Sequence, residues 1–170
     1  TPAVAVGTLR SEDGAIPEVG ADEVVYFQAI DSQLGINRVQ EFLNKIEYGN
    51  QTTSSNLDLY WSDFSLKISP LEQVTLLKKF NTNEFHLNFQ NVFSVKNAIK
   101  IASTPNGNFY GKTGTGRVNG QDINGWFIGY VETSDNSYYF ATNIQSDSNA
   151  TGKKAFEITS DILKKLHIWN

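Results

Sequence analysis

Apolar residues recur along this chain with two different periods, and the change falls about two-thirds of the way along. From Val24 to Leu34 the apolar positions Val24, Tyr26, Phe27, Ile30 and Leu34 share one side of a helical wheel, and Gly35 marks the expected end of that helix. Asn37 is the expected cap of a second helix carrying Val39, Phe42, Leu43 and Ile46, closed by Tyr48-Gly49-Asn50. Gln51 to Asp58 reads as a polar loop. Ser69-Pro70-Leu71-Glu72 is a helix start, with Ser69 at the cap, Pro70 in the first turn and Glu72 three residues past the cap. That helix carries Val74 and Leu77 and is predicted to run to Phe80. Phe89 to Ile101 is predicted as a further helix, with Val92, Val95 and Ile99 on one face.

Beyond residue 107 the period shortens. Residues 108–118, 125–133 and 137–144 read as three strands joined by the turn-rich segments 119–124 and 134–136. Ser146 to Gly152 is a loop. Lys153 to Leu166 returns to helical spacing, with Phe156, Ile158, Ile162, Leu163 and Leu166 expected to face a core. Helices, then a meander, then a terminal helix give an α+β fold, an antiparallel sheet covered by helices.

Composition divides the chain a second time. Of its 11 Lys and 17 Asn, no Lys precedes Lys45 and no Asn precedes Asn37. Residues 1–23 are rich in Ala, Val, Gly and Glu. They read either as a segment of different origin, a replacement or a fusion, or as chance in a short window. Val4 and Val6 alternate with small residues, so 3–9 is a candidate edge strand ahead of the turn Ser11-Glu12-Asp13-Gly14. The expected organisation is an atypical segment over 1–23 and one domain over 24–170. The chain has no Met at position 1 or elsewhere, which reads as a processed or trimmed N-terminus.

The net charge of -4 argues against nucleic acid or an anionic membrane as partner. With no cysteine there is neither a disulfide framework nor thiolate chemistry, as is common in exported bacterial proteins. His86 and His167 stand far apart outside any ligand-spaced cluster, so no metal or other cofactor is implied. No apolar run reaches the length of a membrane span.

The chemistry concentrates in Lys112-Thr113-Gly114-Thr115-Gly116, followed on the next strand by Trp126-Phe127-Ile128-Gly129-Tyr130-Val131-Glu132. On a strand, Lys112 would offer a positive charge to a ligand carboxylate, Thr113 a hydroxyl, and Gly114 a surface without a side chain against which a flat ligand can lie. Lys-Thr-Gly is one of the conserved elements of the penicillin-recognising serine enzymes. Three further stretches accompany it in order: Tyr48-Gly49-Asn50, Trp61, and Ser65-Leu66-Lys67-Ile68-Ser69-Pro70-Leu71-Glu72-Gln73-Val74. From about Val24 to Lys165 the chain resembles the C-terminal part of class D serine β-lactamases, and still more the extracytoplasmic penicillin-sensor domain of BlaR-type receptors.

The resemblance implies a partial β-lactamase/transpeptidase-like fold and an extracytoplasmic setting. It implies a β-lactam ligand held by Lys112, Thr113, Gly114 and Thr115 beside Tyr48, Asn50 and Trp61, with Lys153 as the further basic residue after the last strand. It also exposes a gap. The family's nucleophile is the Ser of Ser-x-x-Lys, and no Lys here has a Ser three residues before it. The resemblance places that pair upstream of residue 24, where there is no Lys, and the family's Ser-x-Val falls on Asp22-Glu23-Val24. A carboxylate at Asp22 cannot donate a proton at neutral pH and would repel a ligand carboxylate.

The expectation is therefore a catalytically incomplete or engineered penicillin-recognising domain without turnover, its acidic groups before Val24 lying in exposed loop. At best it would bind β-lactams weakly and non-covalently. The alternatives are a β-lactamase or acylated sensor whose nucleophile comes from a complementing chain or oligomer, and a binding or structural module that kept only the fold.

Overall fold

The computed structural model describes residues 21–53, 60 and 65–169, the first seven of them through their backbone. The expected strand at 3–9 and the polar stretch 54–58 lie outside the described residues. Five helices and four strands follow in the order α1 (Ala21–Leu34), α2 (Ile36–Lys45), α3 (Pro70–Asn81), α4 (Phe89–Ala98), β1 (Lys100–Thr104), β2 (Gly107–Val118), β3 (Gln121–Thr133), β4 (Ser137–Gln145) and α5 (Gly152–Lys165). The sheet is an antiparallel meander, β1-β2-β3-β4.

The α3 cap forms as the sequence dictates. The Glu72 amide donates to the Ser69 hydroxyl at 3.3 Å, and the Ser69 amide and hydroxyl both donate to the Glu72 carboxylate, at 2.8 and 2.7 Å. Those bonds hold the Glu72 carboxyl below its ordinary pKa.

Several boundaries differ from the sequence reading. α1 begins at Ala21, so Asp22 and Glu23 belong to a helix and not to a loop. α2 is entered at Gly35, whose φ of 79° only glycine adopts without cost, and Asn37 lies inside the helix. The fourth helix stops at Ala98, because Lys100–Thr104 pairs with β2 as a short strand. The link between β2 and β3 shrinks to Asn119-Gly120, both at positive φ (49° and 77°), a two-residue hairpin turn that frees 121–124 to join β3.

The core lies between the sheet and α5. Phe109, Phe127, Val131, Ala155 and Leu163 are buried there, with Phe140, Phe156 and Trp169 packed around them. Phe109 and Phe127 meet edge to face at 6.1 Å, and Phe127 meets Phe156 the same way at 5.0 Å. Phe156 and Leu163 thus fulfil their predicted role. Ile158, Ile162 and Leu166 do not: they lie exposed along one flank of α5, because Ala155, Thr159 and Leu163 are the residues turned to the sheet. On the other face α3 packs over β3 and β4. There the Asn81 amide donates to the Glu132 carboxylate at 3.2 Å and to the Tyr139 hydroxyl at 2.8 Å.

Candidate ligand-recognition site

Strand alternation sorts the Lys-Thr-Gly motif onto two faces. Phe109, Gly111, Thr113 and Thr115 share the α5 face with their partners Val131, Gly129, Phe127 and Gly125. Tyr110, Lys112 and Gly114 share the opposite face with Tyr130, Ile128 and Trp126. A Cβ built on Gly114 would touch only the Cβ of Trp126, at 3.8 Å, so this glycine leaves the strand surface low beside the lysine.

The outer edge of β2 is paired for only part of its length. β1 covers Gly107 to Tyr110, and the Gly111 amide donates to the Ile99 carbonyl at 2.8 Å. Among the described residues no strand follows on that edge from Thr113 to Gly116. Backbone groups alternate in direction along a strand, so those of Thr113 and Thr115 point the same way as Gly111 N, into the open edge. The Lys112 ammonium lies 3.2 Å from the Thr113 carbonyl oxygen, which stations a positive charge at this edge.

The N-terminus of α5 is locked against the same stretch. The Gly152 amide donates to the Thr115 hydroxyl at 2.9 Å, and the Lys154 amide donates to the Thr151 hydroxyl at 3.1 Å. A Cβ on Gly152 would sit 2.8 Å from both the nitrogen and the oxygen of Gly114 and 2.9 Å from Thr113 Cβ. Gly152 is therefore the contact that lets the helix start press on the motif. Lys153, the next residue, is exposed in the first turn of this helix, and the positive end of the helix dipole adds to its charge. The structure thus brings Thr113, Gly114 and Thr115 against the start of α5, where Lys153 is the next residue, while Lys112 lies on the sheet face away from that helix.

Tyr48 and Asn50 belong to a second unit, the connection between α2 and α3. The Asn50 side chain accepts from the Lys67 amide at 2.8 Å and donates to the Ser65 carbonyl at 2.8 Å, while its backbone amide donates to the Lys67 carbonyl at 2.9 Å. Gly49 is required there, since a Cβ would collide with the Lys67 carbonyl. The motif clamps the segment that leads into the α3 cap. Burial pushes the Tyr48 hydroxyl's pKa up. The Tyr60 pKa is raised further, first by burial, then by the charge of Asp31 and the hydrogen bond to it, then by Tyr48. Trp61 lies outside the described residues.

The sequence reading missed Gly152 as a spacer and the tie between Asp31 and Tyr60. The first is foreshadowed by a glycine just ahead of Lys153-Lys154; the second has no local signal. Among the described residues no group of acidic, His or Cys side chains could hold a metal ion.

An antiparallel sheet with a terminal helix on one face and Lys-Thr-Gly on an open strand edge defines a class, the penicillin-recognising serine domains. The family model for the penicillin binding protein transpeptidase domain matches residues 22–164, and the chain belongs to that family, on its BlaR-type sensor and class D β-lactamase side. It is 46% identical over 144 residues to the regulatory protein BlaR1 of Bacillus licheniformis, and 42% identical over 143 residues to the methicillin resistance mecR1 protein of Staphylococcus aureus. Those matches cover 85% and 84% of this chain and 24% of each relative.

Among solved structures, the C-terminal domain of the Bacillus licheniformis BlaR penicillin-receptor superposes with a TM-score of 0.83 at 44% identity, covering 88% of this chain and 61% of that one. A class D β-lactamase from Bacillus subtilis superposes with a TM-score of 0.79 at 36% identity, covering 88% and 60%. The chain thus spans about a quarter of the length of these curated relatives and about three-fifths of the solved domains.

Proposed function

We propose that this chain supplies the carboxylate-recognising wall of a β-lactam-sensing domain that works outside the cytoplasm, and that it binds β-lactams weakly and without acylation. The observation that carries the reading is the stationing of the Lys112 ammonium at the open edge of β2, beside the low surface of Gly114 and the positive end of α5. A β-lactam offers a carboxylate to the cations of Lys112 and Lys153, an amide to the edge groups of Thr113 and Thr115, and a flat ring face to Gly114. The Thr115 hydroxyl, which accepts from Gly152, serves to position α5 against this edge. Tyr48 and Asn50 act one layer away, by fixing the loop ahead of α3. Residues 24–170 carry the recognition unit, and α1 extends it back across the compositional boundary to Ala21.

The absence of acylation rests on chemistry. A serine nucleophile needs a base within hydrogen-bond reach, and no Ser-x-x-Lys occurs in these 170 residues. Intact-mass spectrometry after incubation with a fluorescent penicillin, paired with nitrocefin hydrolysis at high protein concentration, tests this. The expected result is an unchanged mass and no turnover. A covalent adduct, or turnover abolished by Lys112→Ala, would overturn it.

A further inference from the structure

We infer that Asn119, at the tip of the β2–β3 hairpin, is a site of spontaneous self-modification, in which its side chain closes on the Gly120 amide and the turn passes to an aspartyl or isoaspartyl form. The chain holds three Asn-Gly pairs, Asn106-Gly107, Asn119-Gly120 and Asn124-Gly125. In each, the second residue has no side chain to shield its amide nitrogen, so local sequence does not choose among them. The fold does.

Gly125 lies within β3, paired on one side to Thr115 and on the other to Ile144, and a Cβ there would collide with the Thr151 carbonyl. The Asn124 side-chain oxygen accepts from the Asn143 side-chain amide at 2.6 Å, which holds the Asn124 side chain in place. Gly107 is paired to Thr104 and Thr133, and a Cβ there would collide with the Glu132 backbone carbonyl. Asn119 and Gly120 stand outside the ladder, which closes at Val118 and Gln121. Both are exposed, and a Cβ on Gly120 would meet nothing within 4 Å. Ring closure requires Asn119 to swing out of its left-handed conformation, φ 49°. At an exposed two-residue tip that takes only local opening of the turn, whereas at Gly107 and Gly125 it takes separation of strands.

The reaction needs water and no other reactant. The Gly120 nitrogen bonds to Asn119 Cγ, the bond from Cγ to the side-chain nitrogen breaks, and that nitrogen leaves as ammonia with the proton the Gly120 amide gives up. Water then adds to one of the two ring carbonyls and breaks its bond to the ring nitrogen. Opening at Cγ restores the ordinary chain as aspartate. Opening at the backbone carbonyl reroutes the chain through the former side chain as isoaspartate, one methylene longer, which no longer fits a two-residue turn. Either product places a new carboxylate two residues from Arg117, whose Nε already donates to Asp122 across this hairpin at 2.7 Å.

Peptide mapping of the full chain after prolonged incubation at mildly alkaline pH, with fragmentation that separates aspartate from isoaspartate, tests the inference. The expected result is a mass gain of about 1 Da on the peptide holding Asn119, in both product forms, with Asn106 and Asn124 reacting at least about tenfold more slowly. In the urea-unfolded chain the three sites are expected to react at similar rates. An unmodified Asn119 in the folded chain, or Asn106 or Asn124 reacting as fast, would overturn the inference. The same order of rates persisting in urea would also overturn it, because the fold would then not be what selects Asn119.

Discussion

Gly152 carries more of the site than its lack of a side chain implies. At this residue α5 presses on the Lys112 strand, and a methyl group there has no room against the Gly114 backbone. Gly152→Ala is expected to cost about 1–3 kcal/mol through overpacking and to shift the helix start away from Thr115. A lowered urea midpoint with weakened ligand binding is the signature, and an unchanged midpoint would show that the contact relaxes freely. Tyr130 makes the opposite case. It is wholly buried, stacked on Tyr110 with ring centroids 4.6 Å apart, and its hydroxyl finds no hydrogen-bond partner among the described residues. Tyr130→Phe keeps the packing and removes the unsatisfied group, so thermal unfolding should show stability equal to or above the wild type.

That hydroxyl also sets a pH limit. Burial, then the charge of Glu132, raises the Tyr130 pKa, and burial likewise raises those of Tyr48, Tyr60 and Tyr110. Each group holds its proton more tightly folded than unfolded, where it ionises near about 10. The stability they contribute is complete below about pH 10 and falls as pH rises through the folded-state values. Urea melts at pH 8 and pH 11 check the sign: the midpoint should drop at the higher pH, and less so in Tyr130→Phe.

At the scale of elements, the α3 capping box is a separable unit. Ser69→Ala removes the acceptor of the Glu72 amide and is expected to cost about 0.5–2 kcal/mol by chemical denaturation. This cap, the helix before it, the three long strands and the terminal helix were all legible in the sequence, since each is written in local spacing or turn chemistry. β1 was not. Its five residues follow directly on a helix, and the strand exists only because Gly107 to Tyr110 pair with it. The start of β3 was hidden because Asn119-Gly120 suffices as a turn although four more polar residues follow. In α5 the periodicity found the helix but not its rotation. Ile158, Ile162 and Leu166 fit an apolar stripe, yet Ala155 and Thr159 take the sheet because small side chains allow the closer approach. The Lys112 to Thr115 cluster was visible as a motif, whereas the two faces it divides between, and the part Asn50 plays as a clamp, required the register.

Across the whole molecule, we propose that recognition and catalysis are separable: Lys112 and its neighbours would read the β-lactam carboxylate, while no Ser-x-x-Lys occurs in the sequence. Calorimetric titration of benzylpenicillin into the wild type and into Lys112→Ala tests this most directly. The expected result is saturable binding by the wild type and an affinity at least about tenfold lower in the variant, a loss of roughly 1.4 kcal/mol, with no covalent adduct in either. Equal affinity in the two proteins would contradict it, because Lys112 would then have no part in holding the ligand.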